Sequence, residues 1–294
     1  MSQLKGVFTV VATPFKEDGA IDFDGFGRNL DYYADNGGYG VTVAGTLGEY
    51  SAMTVEERKQ LFEYAAKRLN GRCPLMAGTI ATTTQQVIEL TKHVGDHGGV
   101  GVLLLSHPGL GLKPDELRAY YTEVADSTDV DIMLYNNPGS NGIDLPFDLI
   151  KELSEHPRIV AIKESSNDVK RISRIVDELS GSLTPICGYE DMYYEAFRSG
   201  AEGWVCLGGN FAPKLVRDLL ESVQAGDAEE ARKLARNYRP LARYFENTSK
   251  FIQATKYVMD RTGLVGGYTR RPRLPLSQAE KNDIDVILKT TKLY

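Results

Sequence analysis

Eight short apolar runs recur along the first 210 residues or so, at positions 7–14, 40–45, 74–78, 100–105, 132–135, 159–163, 184–187 and 203–207. They are brief, rich in β-branched residues and apolar on both faces, the pattern of parallel strands covered on both sides. Between them lie amphipathic helical patterns. Thr54 and Glu57 form a capping box that opens a helix running to about Leu69. Thr82 opens another, with Val87, Ile88, Leu90 and Val94 on one face. Pro114 and Pro146 stand at first-turn positions, and Asp168 precedes Val169, Ile172, Ile175 and Val176 at helical spacing. Helix ends are marked by Gly37-Gly38, Gly71, Gly98-Gly99, Pro157, Gly181 and Gly200.

Strand–helix alternation allows a closed (β/α)8 TIM barrel or an open doubly wound sheet. The count of eight and the length of 294 residues favour the barrel. No G-x-G-x-x-G follows a strand; the nearest approach, Gly109-Leu110-Gly111, has Pro114 where the third glycine belongs. Beyond about Ala212 the pattern is helical only, at 214–224, 228–244, 249–261 and 278–292. The expected organisation is an α/β barrel over residues 1–211 with a C-terminal helical extension, 212–294, of the same domain.

A net charge of −6 disfavours a nucleic-acid partner, which requires a basic face. The one basic run, Arg270, Arg271 and Arg273, is broken by Pro272 and reads as a solvated or interface loop. Cys73, Cys187 and Cys206 are odd in number and far apart, and read as buried small hydrophobes rather than disulfide or zinc ligands. No run approaches the roughly 18 apolar residues of a membrane span, and residues 1–6 lack a signal-peptide pattern, so a cytoplasmic protein with no membrane partner is expected.

In a barrel of this kind the site lies where the strands end. Lys163 closes the apolar run 159–162. At such a rim, removal from water favours the neutral amine, the form that attacks a carbonyl carbon; the alternative is a lysine reaching solvent or pairing with a carboxylate. Tyr135 ends the neighbouring strand, where a phenol can shuttle protons or simply be a buried aromatic. The loop Gly45-Thr46-Leu47-Gly48-Glu49 offers glycines that let backbone N–H groups face an anion, with Thr46 adding a hydroxyl, or it is a tight turn using glycine for geometry alone. Glu49 reads as a loop-fixing acceptor. Gly188 and Gly203 either leave room for substrate or serve packing. His93 and His97 share a helix face, but the glutamate of H-E-x-x-H is absent and the pair lies away from the site, so it reads as a solvated last turn with no metal. His107, in the rim loop 106–112, is a further site candidate.

As a set and in this order, Gly45-Thr46-Leu47-Gly48-Glu49, Tyr135-Asn136-Asn137-Pro138 and Ile162-Lys163-Glu164, between Thr13-Pro14-Phe15 and the closing segment 271–276, resemble the dihydrodipicolinate synthase / N-acetylneuraminate lyase family of class I aldolases and dehydratases. The resemblance covers essentially the whole chain. It implies that Lys163 forms a Schiff base with a small 2-oxo acid and that Tyr135 is the proton shuttle. It also implies that Thr46, with the N–H groups of Thr46 and Leu47, holds the carboxylate, and that Gly188 and Val205 line the pocket. It further implies a homotetramer built as a dimer of dimers, with no metal or organic cofactor.

Three departures bear on substrate. Ser140 stands where dihydrodipicolinate synthases carry an arginine that clamps a second carboxylate, and a serine cannot replace a bidentate ion pair. Leu47 replaces the second threonine of their glycine loop. The rim loop 107–112 lacks their tyrosine, and whether His107 replaces it is open. Several stretches look like the Δ1-pyrroline-4-hydroxy-2-carboxylate deaminases, which makes a catabolic dehydratase/deaminase the leading expectation. A 2-keto-3-deoxy-sugar-acid or 4-hydroxy-2-oxoglutarate aldolase is the alternative, followed by a dihydrodipicolinate synthase-like protein or a non-catalytic binding barrel.

Overall fold

The computed structural model describes residues 4–107 and 109–293. Residues 1–3 of the N-terminal stretch and Pro108 of the rim loop lie outside the described residues. Eight strands form: β1 (Gly6–Val10), β2 (Gly40–Val43), β3 (Leu75–Gly78), β4 (Gly101–Leu105), β5 (Ile132–Asn136), β6 (Ile159–Glu164), β7 (Thr184–Cys187) and β8 (Gly203–Cys206). All pair in parallel and in chain order, and β8 returns to β1 through Gly6↔Gly203 and Phe8↔Val205, closing the barrel. The expected (β/α)8 architecture with C-terminal helices is the one formed.

The helices are α1 (Phe23–Asp35), α2 (Val55–Leu69), α3 (Thr84–Asp96), α4 (Pro114–Asp126), the single turn α5 (Pro138–Asn141), α6 (Phe147–Leu153), α7 (Val169–Leu179), α8 (Tyr193–Arg198), α9 (Pro213–Gln224), α10 (Ala228–Asn247), α11 (Phe251–Arg261) and α12 (Gln278–Thr290). The capping box at Thr54 and Glu57 is present in full. The α3 cap is Thr83, one residue later than the sequence suggested, because its hydroxyl is the one that reaches the N–H of Gln86.

Strand parity decides what faces the barrel axis. Phe8, Val10, Leu103, Leu105, Met133, Tyr135, Ala161, Ile186 and Val205 belong to one interior cluster. Their neighbours Val102, Leu104, Leu134 and Ile162 pack outward under the helices. Each large apolar side chain so buried contributes roughly 1.5–3 kcal/mol. A second outer cluster joins Trp204 of β8 to Leu215, Val216 and Leu219 of α9, and to Tyr238, Leu241 and Phe245 of α10. The extension is thereby fixed against the β7–β8 side of the barrel, over the ends of those strands. All three cysteines are buried and free. No helix among the described residues is long and apolar enough to cross a membrane.

Candidate active site

Lys163 and Tyr135 are partners in the β5–β6 register, and both share the inward parity of Ala161 and Met133. Both are buried, each only 6% exposed, and Lys163 Nζ lies 4.1 Å from the centre of the Tyr135 ring. Asn137 Nδ2 donates to Tyr135 Oη at 2.6 Å, so the phenol oxygen is oriented by the residue two positions on.

The outward residues of the same strand ends lock this geometry. Glu164, fully buried, accepts from Asn136 Nδ2 at 3.1 Å, from the Ser166 N–H at 2.8 Å and from Arg171 Nε of α7 at 2.9 Å. Asn136 also donates to Asp144 and accepts from the Leu145 N–H. The hydrogen bonds of Glu164 and Asn136 fix the rim on the helix side, while Lys163 and Tyr135 face the interior.

A cavity of about 560 Å³ opens on them, lined among others by Thr46, Leu47, Ser140, Gly188 and Val205. Lys163, Tyr135 and these five residues thus surround one space of ordinary ligand-pocket size, from which His107 is absent among the described lining residues. The Thr46 hydroxyl is buried with no hydrogen-bond partner among the described residues, as is that of Ser165. A buried donor left unpaired is costly and is a place for a ligand oxygen.

Gly188 proves to make room for the lysine itself. A Cβ there would stand 2.6 Å from Lys163 Cγ and 2.7 Å from Cε, and would collide with Ser165 Oγ. Gly203 lies deeper in the barrel, where a Cβ would strike the Gly6 carbonyl and Ile186, so its role is packing. In the loop after β2 the left-handed residues are Ala44 and Glu49, with φ of 52° and 59°, rather than the glycines. Gly45 and Gly48 instead permit close approach: a Cβ on Gly45 would lie 2.7 Å from Val10 Cγ1, and one on Gly48 3.1 Å from the Val11 carbonyl.

Glu49 is an acceptor. Its buried carboxylate takes hydrogen bonds from Lys256 Nζ of α11 at 2.6 Å and from the Arg270 N–H at 3.2 Å. The basic run is therefore not a merely solvated loop. Arg270 pairs with Glu57 of the α2 capping box at 2.5–2.8 Å and donates to the Ala52 carbonyl, while Arg271 is exposed. His107 is absent from the cavity lining among the described residues; its Nε2 contacts the Thr82 carbonyl. His93 and His97 sit at the end of α3, on the opposite face of the barrel from the cavity.

The outer wall of the cavity carries residues the sequence reading passed over, Glu190 and Glu246. Burial pushes the Glu190 carboxyl up to about 7, against hydrogen bonds from Tyr238 and the N–H groups of Leu207 and Gly208. Burial likewise raises Glu246, with the charge of Lys163 opposing the shift. The Glu190 N–H donates to Glu246. No local pattern marks these two, because they meet only once α10 folds back over β7.

The model of the dihydrodipicolinate synthetase family matches residues 3–291. Among curated relatives, the 4-hydroxy-tetrahydrodipicolinate synthase of Methanothrix thermoacetophila is 33% identical, with 98% of each chain covered. That of Stenotrophomonas maltophilia is 34% identical over 93% of this chain and 92% of the relative. Among solved structures, the dihydrodipicolinate synthase of Aquifex aeolicus superposes with a TM-score of 0.93 at 28% identity, covering 97% of both chains. The Acinetobacter baumannii enzyme complexed with pyruvate gives 0.93 at 28% identity, over 98% of this chain and 99% of the other. A full-length match on this barrel, together with a lysine at the end of its sixth strand, places the chain in the dihydrodipicolinate synthetase family, as a lyase of the lysine Schiff-base class.

Proposed function

We propose that Lys163 condenses with the C2 carbonyl or cyclic imine of a small 2-oxo acid carrying one carboxylate and a distal hydroxyl, with Δ1-pyrroline-4-hydroxy-2-carboxylate the preferred substrate. The observation that carries this choice is the scarcity of cations on the cavity wall. Lys163 is its only cation among the described lining residues, and the far side carries Glu190 and Glu246. The carboxylate next to the reacting carbon has Thr46 and the N–H groups of Thr46 and Leu47 for partners. A second carboxylate would meet Ser140 and two glutamates, an arrangement that disfavours both dihydrodipicolinate synthesis and 4-hydroxy-2-oxoglutarate cleavage.

The mechanism follows from these positions. Lys163 Nζ adds to C2 and displaces the ring nitrogen, giving an iminium and a free chain amine. Tyr135, oriented by Asn137, takes the C3 proton while the C3–H electron pair moves into the iminium, forming an enamine. The resulting enamine expels the 4-hydroxyl as one water. Loss of a C5 proton and protonation at C4 and then C3 turn the chain amine into a second imine, and hydrolysis of both carbon–nitrogen double bonds by two waters frees Lys163 and ammonia and leaves a 2-oxo acid semialdehyde. A cavity of about 560 Å³ exceeds the needs of a five-membered ring, and this favours as second reading a 2-keto-3-deoxy-sugar-acid aldolase. There the same iminium draws electrons from the breaking C3–C4 bond.

Borohydride in the presence of pyruvate is expected to leave a reduced adduct on Lys163, read by peptide mass, and none on Lys163→Ala, which also loses turnover. An untouched Lys163 peptide removes the mechanism. Ammonia release from the pyrroline substrate selects the deaminase, pyruvate release from 3-deoxy acids selects the aldolase, and binding of these acids without turnover marks a non-catalytic barrel. The working form is taken to be a cytoplasmic homotetramer, and sedimentation at micromolar concentration reads its mass.

A further inference from the structure

Away from the cavity, His93 in the last turn of α3, His97 at its C-cap and Glu63 of the neighbouring α2 come together. One ligand atom from each lies within 4.8 Å of the other two. His93 Nε2 is 3.2 Å and His97 Nε2 3.8 Å from Glu63 Oε1. The two rings stand 4.2 Å apart, centre to centre.

The hydrogen bonds leave the facing nitrogens available. His97 Nδ1 lies 2.9 Å from the His93 carbonyl, which holds the proton on that nitrogen and the lone pair on Nε2. The His93 ring is hydrogen-bonded to the backbone of Lys59, while its Nε2 is buried with no hydrogen-bond partner. The nearby ammonium of Lys59 is engaged by Glu89. His97 and Glu63 are exposed, and ligand atoms held on one zinc at about 2.0–2.2 Å in a tetrahedron stand roughly 3.4 Å apart, close to the 3.2 and 3.8 Å separations found here.

We infer that Glu63, His93 and His97 form a surface site for a divalent transition ion, with zinc the best match to two imidazoles and one carboxylate, cross-linking α2 to α3. The fourth position faces solvent and takes water or a donor from another molecule. The sequence offered only the His93/His97 spacing, which read as a solvated turn for want of the H-E-x-x-H glutamate; the third ligand comes from a helix thirty residues earlier. The site lies on the barrel face opposite Lys163, so it stands independently of the proposed reaction.

The test uses the untagged full chain. Zinc chloride titrated calorimetrically is expected to bind one ion per chain and to raise the unfolding temperature. Cobalt(II) is expected to give visible absorption bands that zinc displaces. His97→Ala and Glu63→Gln, both at exposed positions and checked for fold by circular dichroism, are each expected to weaken zinc binding about tenfold or more. Pyruvate trapping on Lys163 is expected to stay as in the parent. Absence of saturable binding, or wild-type affinity in both variants, overturns the site.

Discussion

At the scale of single residues, the pairing of Lys163 with Tyr135 inside the barrel was legible because strand parity is simple. A lysine two positions after an inward Ala161 must also face in, and so must Tyr135 after Met133. Tyr135→Phe is expected to lower kcat by about 10²-fold or more, with the lysine still trappable by borohydride, since on the proposed mechanism it removes the proton carrier and not the nucleophile. What parity could not reveal is the acidic wall, because Glu190 and Glu246 are 56 residues apart in sequence. Glu190 offers a pH test of its own. Its folded pKa, about 7, stands above the usual carboxylate value, so the folded chain holds a proton the unfolded chain releases. That group's contribution to stability is full below about pH 4.5, declines as pH rises, and is lost by passage through about 7. Glu190→Gln is expected to flatten the unfolding temperature between pH 5 and 8; a slope equal to that of the parent places the titration elsewhere.

Among elements, strands were read to within a residue or two at most ends, and the helices with clear caps nearly as well, since both rest on local chemistry. The exception is β1, where the apolar run continues to Pro14 but pairing ends at Val10, because Ala12 and Thr13 turn away to meet Asn210 and Gly48. The glycine loop was located correctly yet explained differently: its glycines serve close packing on β1 and its positive φ falls on Ala44 and Glu49. Just beyond it, Thr54 caps α2 through the Glu57 N–H while Glu57 also receives Arg270. Thr54→Ala is expected to cost about 1 kcal/mol in denaturant unfolding with kcat unchanged. A large fall in kcat would mean that the α2 cap also sets the loop.

For the molecule as a whole, the extension is the far wall of the cavity and also its brace. Lys256 of α11 reaches through the interior to Glu49, with the pair 2% and 0% exposed. Lys256→Met leaves a buried carboxylate without its ammonium and is expected to cost about 3–5 kcal/mol. The double variant with Glu49→Gln is expected to recover part of that in a mutant cycle. The sequence marked Glu49 as a loop-fixing acceptor but gave no sign of its partner, because 207 positions separate them. Ring closure carries a consequence for biogenesis. Gly6 has no lasting strand neighbour on one side until Gly203 has left the ribosome, so the nascent chain carries two unsatisfied sheet margins for most of its synthesis. A ribosome stalled anywhere before that point holds an aggregation-prone intermediate, and a chaperone that shields open β edges would find its client there.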